Sequence, residues 1–204
     1  FFLAVSMTHP HNPYVSTNEF LELYQPSDID MPAVPPIPFD LQDPHSQRLW
    51  YMFRQDEYDV SDEQVRDARH AYYAMVSYVD AQVGRLLEAL RAMDLDDSTV
   101  VVFTSDHGDM LGERGLWYKW VHFDPAVRIP LLISAPGNTR SAVRHDLASL
   151  VDIFPTILDL AGVTASDDEA DPLDGRSLVE SLGVQQNEPP GIVYGEMNGE
   201  GAHA

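Results

Sequence analysis

The chain has 204 residues, of which 33 are acidic and 12 are basic, so its formal net charge is −21. Such an excess of carboxylates argues against nucleic acid and anionic membrane surfaces as partners. The chain contains no cysteine, which excludes disulfides and zinc–thiolate sites from this segment.

The first elements in chain order are a strand and a rigid loop. Residues 1–7 are mostly apolar and predict a β-strand. The next residues, Thr-His-Pro-His-Asn-Pro at positions 8–13, predict a proline-stiffened loop that presents two imidazoles. Residues 17–24 predict a short helix. The proline-rich segment 26–44 predicts a loop without regular secondary structure.

Ser61 begins the longest predicted helix. A serine at the N-cap with Gln64 three residues later is the pattern of a capping box. Apolar side chains then recur at helical spacing as far as Leu90. We predict a helix from about Asp62 to Met93, with one apolar stripe facing the core, and a turn at 94–98.

The second half of the chain predicts further strands and a helix. Residues 99–103 are all β-branched or aromatic, which predicts a buried strand of a parallel sheet covered on both faces. Residues 128–134 and 191–196 predict two more strands. Residues 147–162 predict a helix that Pro155 should kink or break and Gly162 should end. This alternation predicts an α/β fold, a mostly parallel sheet with helices on both faces.

Polar side chains follow the strand at 99–103. In open α/β sheets ligands bind beyond the carboxyl ends of strands, and the adjacent Asp106 and His107 could share one divalent cation there. An ordinary polar turn is the alternative interpretation of these residues. Lys119, a lone lysine in a very acidic chain, is the kind of cation that could hold an anion beside a metal.

The segment Thr-Ser-Asp-His-Gly-Asp-Met-Leu-Gly-Glu-Arg-Gly-Leu-Trp-Tyr-Lys at 104–119 resembles the metal-and-sulfate segment of the type I sulfatases. These enzymes belong to the alkaline phosphatase superfamily, and the similarity is greatest to their choline-sulfatase branch. The resemblance continues through 128–133 and 150–162. It implies an alkaline phosphatase-like fold, in which residues 1–204 form a C-terminal portion of the catalytic domain.

The same resemblance implies parts of the site that lie upstream of residue 1. The family's nucleophile is a formylglycine made from a cysteine or serine, and neither the Cys-x-Pro-x-Arg nor the Ser-x-Pro-x-Arg pattern occurs in these residues. The paired aspartates that complete the metal site also normally precede this segment. We therefore expect the 204 residues alone to be inactive.

The resemblance assigns roles to four residues. Asp106 and His107 would be two ligands of a divalent metal, with calcium expected and magnesium or manganese as alternatives. Lys119 would contact a sulfate oxygen and stabilise the leaving group. His11 would hydrogen-bond the sulfate and serve as general acid. Loop-supporting or ligand-supporting roles are expected for three neighbouring residues, His9, Asp109 and Glu113.

The last residues, 195–202, resemble a segment of choline sulfatases that helps to bind a quaternary ammonium group. A cation without N–H groups is held by carboxylates and aromatic faces, so Glu196 and Glu200 are predicted substrate-binding residues. A solvent-exposed acidic strand end is the alternative. Met197 stands where an aromatic residue is common in that branch.

The predicted activity is hydrolysis of a small alkyl sulfate ester, with choline sulfate as the candidate substrate. One alternative is a phosphonate monoester or phosphodiester hydrolase of the same superfamily, which shares the Asp–His pair. Another is a catalytically incomplete metal-binding fragment. No apolar run approaches the ~20 residues of a membrane span, and no segment resembles a signal peptide. We expect a cytoplasmic protein, with the periplasm as the alternative, and a homo-oligomer is compatible with this interpretation.

Overall fold

The computed structural model describes residues 1–137, 141–164, 173–183 and 193. The chain divides into two compact units. The first comprises residues 1–93 and 107–129, and the second comprises residues 94–106 and 130–204. Among the described residues, no helix has both the length and the apolar composition needed to cross a membrane.

Helices form most of the regular structure of the first unit. They are α1 (Asn18–Leu21), α2 (Pro44–Met52), α3 (Asp62–Ala92) and α4 (Asp124–Val127). The segment 26–44 contains only short 3-10 turns before α2, in agreement with its proline content.

The start of α3 is the predicted capping box. The Ser61 side chain accepts a hydrogen bond from the Gln64 backbone N–H, and the Gln64 side chain accepts one from the Ser61 N–H. The predicted bounds of this helix are confirmed to within one residue. Its buried face contributes Ala74 and Met75 to the interior of the first unit.

Helix α2 was not predicted, although its first residues carry a helix-start signal. Asp43 is the N-cap, and its carboxylate accepts the backbone N–H groups of His45 and Ser46, each at 3.0 Å. Pro44 occupies the first helical position, where its missing N–H costs nothing. Leu49 of this helix joins the apolar core that also holds Met110, Leu116, Val121 and Ala126. This core fixes the segment that carries Lys119.

The two strands of the described chain lie in the second unit. They are β1 (Val101–Thr104) and β2 (Leu131–Ser134), and they pair antiparallel with Val101 opposite Ser134. The sequence predicted a mostly parallel sheet, and for this pair of strands that prediction is wrong. A buried apolar run does not encode the direction of its partner, which the connection between the strands decides.

Residues 1–7 do not form the predicted strand. Phe1 and Leu3 are 89% and 69% exposed, and no other described segment pairs with them. A strand exists only where a neighbour completes its hydrogen bonds, so an apolar run alone was an insufficient signal.

The second unit also contains α5 (Ile153–Leu160), preceded by a 3-10 turn at Leu150–Asp152, and α6 (Val179–Gly183). The predicted break at Pro155 is wrong, because this proline lies in the first turn of α5, where no intrahelical N–H bond is needed. Gly162 ends the helical segment with φ +67°, as predicted. Of the predicted strand 191–196, only residue 193 lies within the described residues.

Candidate functional site

His11 lies in the loop that follows residues 1–7, between cis peptide bonds at His9–Pro10 and Asn12–Pro13. Its backbone N–H donates to the Thr8 carbonyl at 2.9 Å. Its ring Nδ1 lies 2.8 Å from the Asn12 carbonyl oxygen, and a carbonyl only accepts, so Nδ1 carries the proton. In the neutral ring, Nε2 therefore carries the lone pair.

Lys119 lies directly against that lone pair. Its Nζ is 2.8 Å from His11 Nε2, although the two residues are 108 positions apart in the chain. An ammonium group has only donors, so Lys119 donates and His11 accepts. The structure thus brings together the two residues predicted to contact a sulfate group, at a solvent-accessible position.

His107 lies beside this pair. The ring centroids of His11 and His107 are 5.9 Å apart, with the ring planes at 67°. Nδ1 of His107 donates to the Gly108 carbonyl at 2.7 Å. This bond fixes the ring orientation and places the lone pair of the neutral ring on Nε2, the arrangement usual for a metal-bound histidine.

The residue after His107 is Gly108, and the surrounding backbone leaves no room there for a side chain. Its N–H donates to the Ala126 carbonyl at 2.8 Å. A Cβ at this position would lie 2.0 Å from the Pro125 carbonyl oxygen. The turn after His107 is thereby held against the end of α4.

Asp106 and His107 each carry a donor atom of a kind that suits a divalent cation. Asp106 is exposed two residues after β1 and supplies a hard oxygen, while His107 supplies an oriented imidazole nitrogen. Calcium takes roughly six to eight ligands, mostly oxygens. Within the described residues, no cluster of three or more histidine, aspartate or glutamate side chains could hold a metal.

A part-buried contact between a hydroxyl and a carboxylate lies near these residues in the chain. The Tyr14 hydroxyl donates to Asp109 Oδ2 at 2.8 Å, and Asp109 Oδ1 accepts the backbone N–H groups of Leu111 and Tyr118, each at 3.0 Å. Burial raises the pKa of the Asp109 carboxyl. Burial also raises the pKa of Tyr14 far above its usual value, and the Asp109 charge raises it further.

The sequence argument assigned no role to Tyr14. Its only sequence signal was its position three residues after His11. Asp109 was expected to support the loop or the ligands, which agrees with the three hydrogen bonds that it accepts.

The backbone around Lys119 adopts an uncommon conformation. Tyr118 and Trp120, on either side of it, have φ values of +63° and +80°, a region that non-glycine residues seldom enter. The Trp120 carbonyl accepts a hydrogen bond from His45 Nε2 at 2.6 Å. Such conformations persist where surrounding contacts fix them, and they are frequent at functional sites.

Glu113, six residues before Lys119, ties its own segment to the loop at residues 33 and 34. Its two carboxylate oxygens accept the backbone N–H groups of Ala33 and Val34 at 2.8 and 2.9 Å. Arg69, which is buried, pairs with Asp30 and donates to the Leu111 carbonyl at 3.1 Å. Glu113 thus has the loop-stabilising position that was expected.

The other predicted site residues are placed as follows. His9 packs its ring 5.1 Å from that of Tyr78 on α3. Glu196 and Glu200, the predicted ligands of a substrate cation, lie outside the described residues. Their assignment therefore stays a prediction.

Comparison with known proteins gives consistent matches. The family model Sulfatase matches residues 1–163. A choline-sulfatase from Rhizobium meliloti (strain 1021) is 44% identical over 194 residues, which cover 94% of this chain and 37% of that protein. Iduronate 2-sulfatase from Homo sapiens is 36% identical over 200 residues, which cover 80% of this chain and 36% of that protein.

Among solved structures, the phosphonate monoester hydrolase from Silicibacter pomeroyi superposes with a TM-score of 0.69 at 29% identity. The match covers 85% of this chain and 35% of that one. The chain thus spans just over a third of the length of the choline-sulfatase and of the iduronate 2-sulfatase named above.

Proposed function

The chain belongs to the sulfatase family, and on that premise we propose that it is part of a sulfuric ester hydrolase that cleaves a small alkyl sulfate. The observation that carries the proposal is the 2.8 Å contact between Lys119 Nζ and His11 Nε2 beside the His107 ring. A sulfate monoester needs positive and hydrogen-bonding groups around its oxygens, and this cluster supplies them in a chain with a net charge of −21.

Lys119 neutralises part of the sulfate charge in this proposal. Its ammonium group already points at an acceptor, so a sulfate oxygen can replace His11 Nε2 as that acceptor with little rearrangement. As the ester bond breaks, negative charge grows on the leaving alkoxide, and a fixed cation nearby stabilises it.

His11 has a role that depends on its proton. Its Nδ1–H is committed to the Asn12 carbonyl, so only Nε2 faces Lys119. His11 can therefore donate to a sulfate or alkoxide oxygen only after it takes a proton at Nε2. This makes it a general acid whose active form is the imidazolium.

Asp106 and His107 are the proposed metal ligands on this chain. Members of the family use a divalent metal, and we propose calcium, with magnesium or manganese as alternatives. When bound, such an ion polarises a sulfate oxygen and offsets the charge of the ester. We further propose choline sulfate as the substrate, on the 44% identity to the Rhizobium meliloti choline-sulfatase. Glu196 and Glu200 then remain the proposed ligands of its quaternary ammonium group.

The test is sulfate release by the full-length gene product supplied with choline sulfate. We expect turnover by the wild type, and a loss of about a hundredfold or more in kcat for Lys119→Ala with an unchanged Tm. Arg54→Ala is the matched control, because Arg54 is an exposed cation paired only with nearby Glu57 among the contacts described. It should leave kcat unchanged. Wild-type kcat in Lys119→Ala would show that Lys119 does not act at the site. Absence of sulfate release from choline sulfate would refute this substrate, and absence of release from other small alkyl sulfates as well would refute the function.

A phosphonate monoester hydrolase is the second candidate. It is favoured by the TM-score of 0.69 to the Silicibacter pomeroyi enzyme. The ratio of kcat/KM for choline sulfate to that for a phenyl phosphonate monoester separates the two. We expect a ratio above one, and a ratio well below one would favour the second candidate.

A further inference from the structure

The Tyr14–Asp109 contact joins the two segments that carry His11 and Lys119. The hydroxyl and the carboxylate meet at 2.8 Å, although the residues are 95 positions apart. Tyr14 stands three residues after His11, and Tyr118, whose N–H Asp109 also accepts, directly precedes Lys119. Asp109 therefore holds both segments with one side chain.

The carboxylate is well suited to fix geometry. Asp109 Oδ1 accepts two backbone N–H groups and Oδ2 accepts the Tyr14 hydroxyl, so each oxygen has a defined direction. One of these bonds is to Tyr118, whose φ of +63° must be held by its surroundings. The carboxylate is partly buried, so a carboxylate oxygen that lost its donor would be poorly solvated. This cost favours the one arrangement in which both oxygens of Asp109 are hydrogen-bonded.

The Tyr14 ring adds packing to the hydrogen bond. Its centroid lies 6.2 to 6.4 Å from the rings of Tyr72, Trp117 and Tyr118. The ring of Tyr118 is nearly parallel to it, at 22°. Removing only the hydroxyl leaves this aromatic packing in place, so the hydrogen bond can be tested by itself.

We propose that Asp109 and Tyr14 are positioning residues that hold the His11 and Lys119 segments together, and so set how closely Lys119 Nζ approaches His11 Nε2. This inference rests on the proposed function for its kinetic consequence. Neither side chain touches the substrate in this proposal. Both act through the two groups that do.

The same unit contains a matched control. The Tyr73 hydroxyl donates to Asp30 Oδ1, also at 2.8 Å, and Tyr73 lies on α3. Tyr14→Phe and Tyr73→Phe thus delete the same kind of hydrogen bond in one unit. Only the first deletion touches the segments of His11 and Lys119.

The kinetic test uses these two variants in the full-length gene product, each with Lys119 and with Lys119→Ala. We expect Tyr14→Phe to lower kcat for the sulfate ester about tenfold, and Tyr73→Phe to change it less than about twofold. In the Lys119→Ala background, Tyr14→Phe should lower kcat by less than about twofold, because the His11–Lys119 contact that Tyr14 is proposed to position is already lost, and effects on one shared contact are not additive. A full tenfold further loss there, or equal losses in the two Phe variants, would overturn the proposal.

A second measurement does not need activity. With ¹⁵N-labelled histidine, the His11 Nε2 resonance reports its hydrogen bond from Lys119, and His11→Gln assigns the signal. We expect Tyr14→Phe to move the resonance toward its position in Lys119→Ala, and Tyr73→Phe to leave it unchanged. An unmoved resonance in Tyr14→Phe would refute the positioning role even if the protein hydrolyses no sulfate ester, so the two failures are distinguishable.

Asp109 offers a conservative rescue. Asp109→Asn keeps an oxygen acceptor for the backbone N–H groups, and its amide can donate to the Tyr14 oxygen, whereas Asp109→Ala removes every contact. We expect Asp109→Asn to retain clearly more kcat than Asp109→Ala. Equal loss in both variants at equal Tm would contradict a role in positioning.

Discussion

Gly108 is required for space rather than for an unusual φ. A Cβ there would lie 2.0 Å from the Pro125 carbonyl oxygen, so the backbone itself would have to move. We expect Gly108→Ala to lower the free energy of unfolding by about 2 kcal/mol. In the full-length protein it should also weaken the proposed binding of a divalent metal, because the turn that orients His107 shifts. Urea unfolding and metal titration by calorimetry measure the two effects.

Gly84 is the matched control for that substitution. It lies in the interior of α3, and a Cβ there meets no atom within 4 Å. Gly84→Ala should raise the free energy of unfolding by about 0.5–1 kcal/mol, because alanine has the higher helix propensity. If both alanine variants changed stability equally, the space argument for Gly108 would be wrong.

Glu113 is a residue whose effect should exceed that of an ordinary surface ion pair. Its side chain is 15% exposed and accepts two backbone N–H groups from residues 33 and 34. We expect Glu113→Ala to cost about 3 kcal/mol of unfolding free energy, because hydrogen bonds to a buried charge are strong and both donors lose their partner.

The control for Glu113 is Glu57→Ala. Glu57 pairs with Arg54, but the two side chains are 42% and 67% exposed, so the loss should stay below about 0.5 kcal/mol. Denaturant unfolding of both variants gives the comparison. Similar costs would mean that the Glu113 bonds contribute little.

At the scale of the element, the N-cap of α2 predicts a pH dependence. The Ser46 hydroxyl and backbone N–H donate to Asp43 and hold the pKa of that carboxyl below its usual value. A lowered pKa in the folded state stabilises the protein above the unfolded pKa of about 3.9, and this contribution is lost as the pH falls through the folded pKa. Asp43→Ala should therefore cost about 1 kcal/mol near neutral pH and less below about pH 4.

Asp43→Asn separates the cap from the charge. Asparagine caps helices as well as aspartate does, so its variant should be nearly as stable as the wild type near neutral pH. Its stability difference from Asp43→Ala should also stay constant with pH. A difference that fell in acid would show that the pH effect comes from another group.

The sequence-based predictions were accurate where the stabilising interactions join residues close in the chain, and inaccurate where they join distant ones. The Ser61–Gln64 capping box and the 3.6-residue periodicity lie within a few turns, and they predicted α3 to within one residue. The strand at 1–7 needed a partner that an apolar run cannot specify. The break predicted at Pro155 was wrong because it depended on where the helix begins. Since α5 begins at Ile153, Pro155 lies in the first turn, where backbone N–H groups have no partner within the helix.

The candidate site was predicted only in part, for the same reason. Asp106 and His107 are neighbours in sequence, so the sequence alone suggests a joint role for them, which stays a prediction. The approach of Lys119 to His11 spans 108 positions and was anticipated only through the resemblance to sulfatases. Tyr14 has no sequence signal apart from its position three residues after His11, because its partner Asp109 is 95 positions away.

At the scale of the whole molecule, charge is the dominant property. The 204 residues carry a net charge of −21, and self-repulsion of that size opposes the compact state. Raising NaCl from about 20 mM to about 500 mM should therefore raise the Tm, since the Debye length falls from above 10 Å to a few ångströms. Thermal unfolding scans in sodium chloride, and in a low-salt buffer brought to the same osmolality with an uncharged solute, measure this. A Tm that fell with salt would mean that attractive ion pairs outweigh the repulsion.

The separation of His11 and Lys119 along the chain also has a consequence for synthesis. Since translation adds about 5–20 residues per second, the lysine emerges from the ribosome roughly 5–20 s after the histidine. The long helix α3, whose contacts are local, is complete within that interval. The contact between His11 and Lys119 is thus formed late on the nascent chain, after the hydrogen bonds of α3.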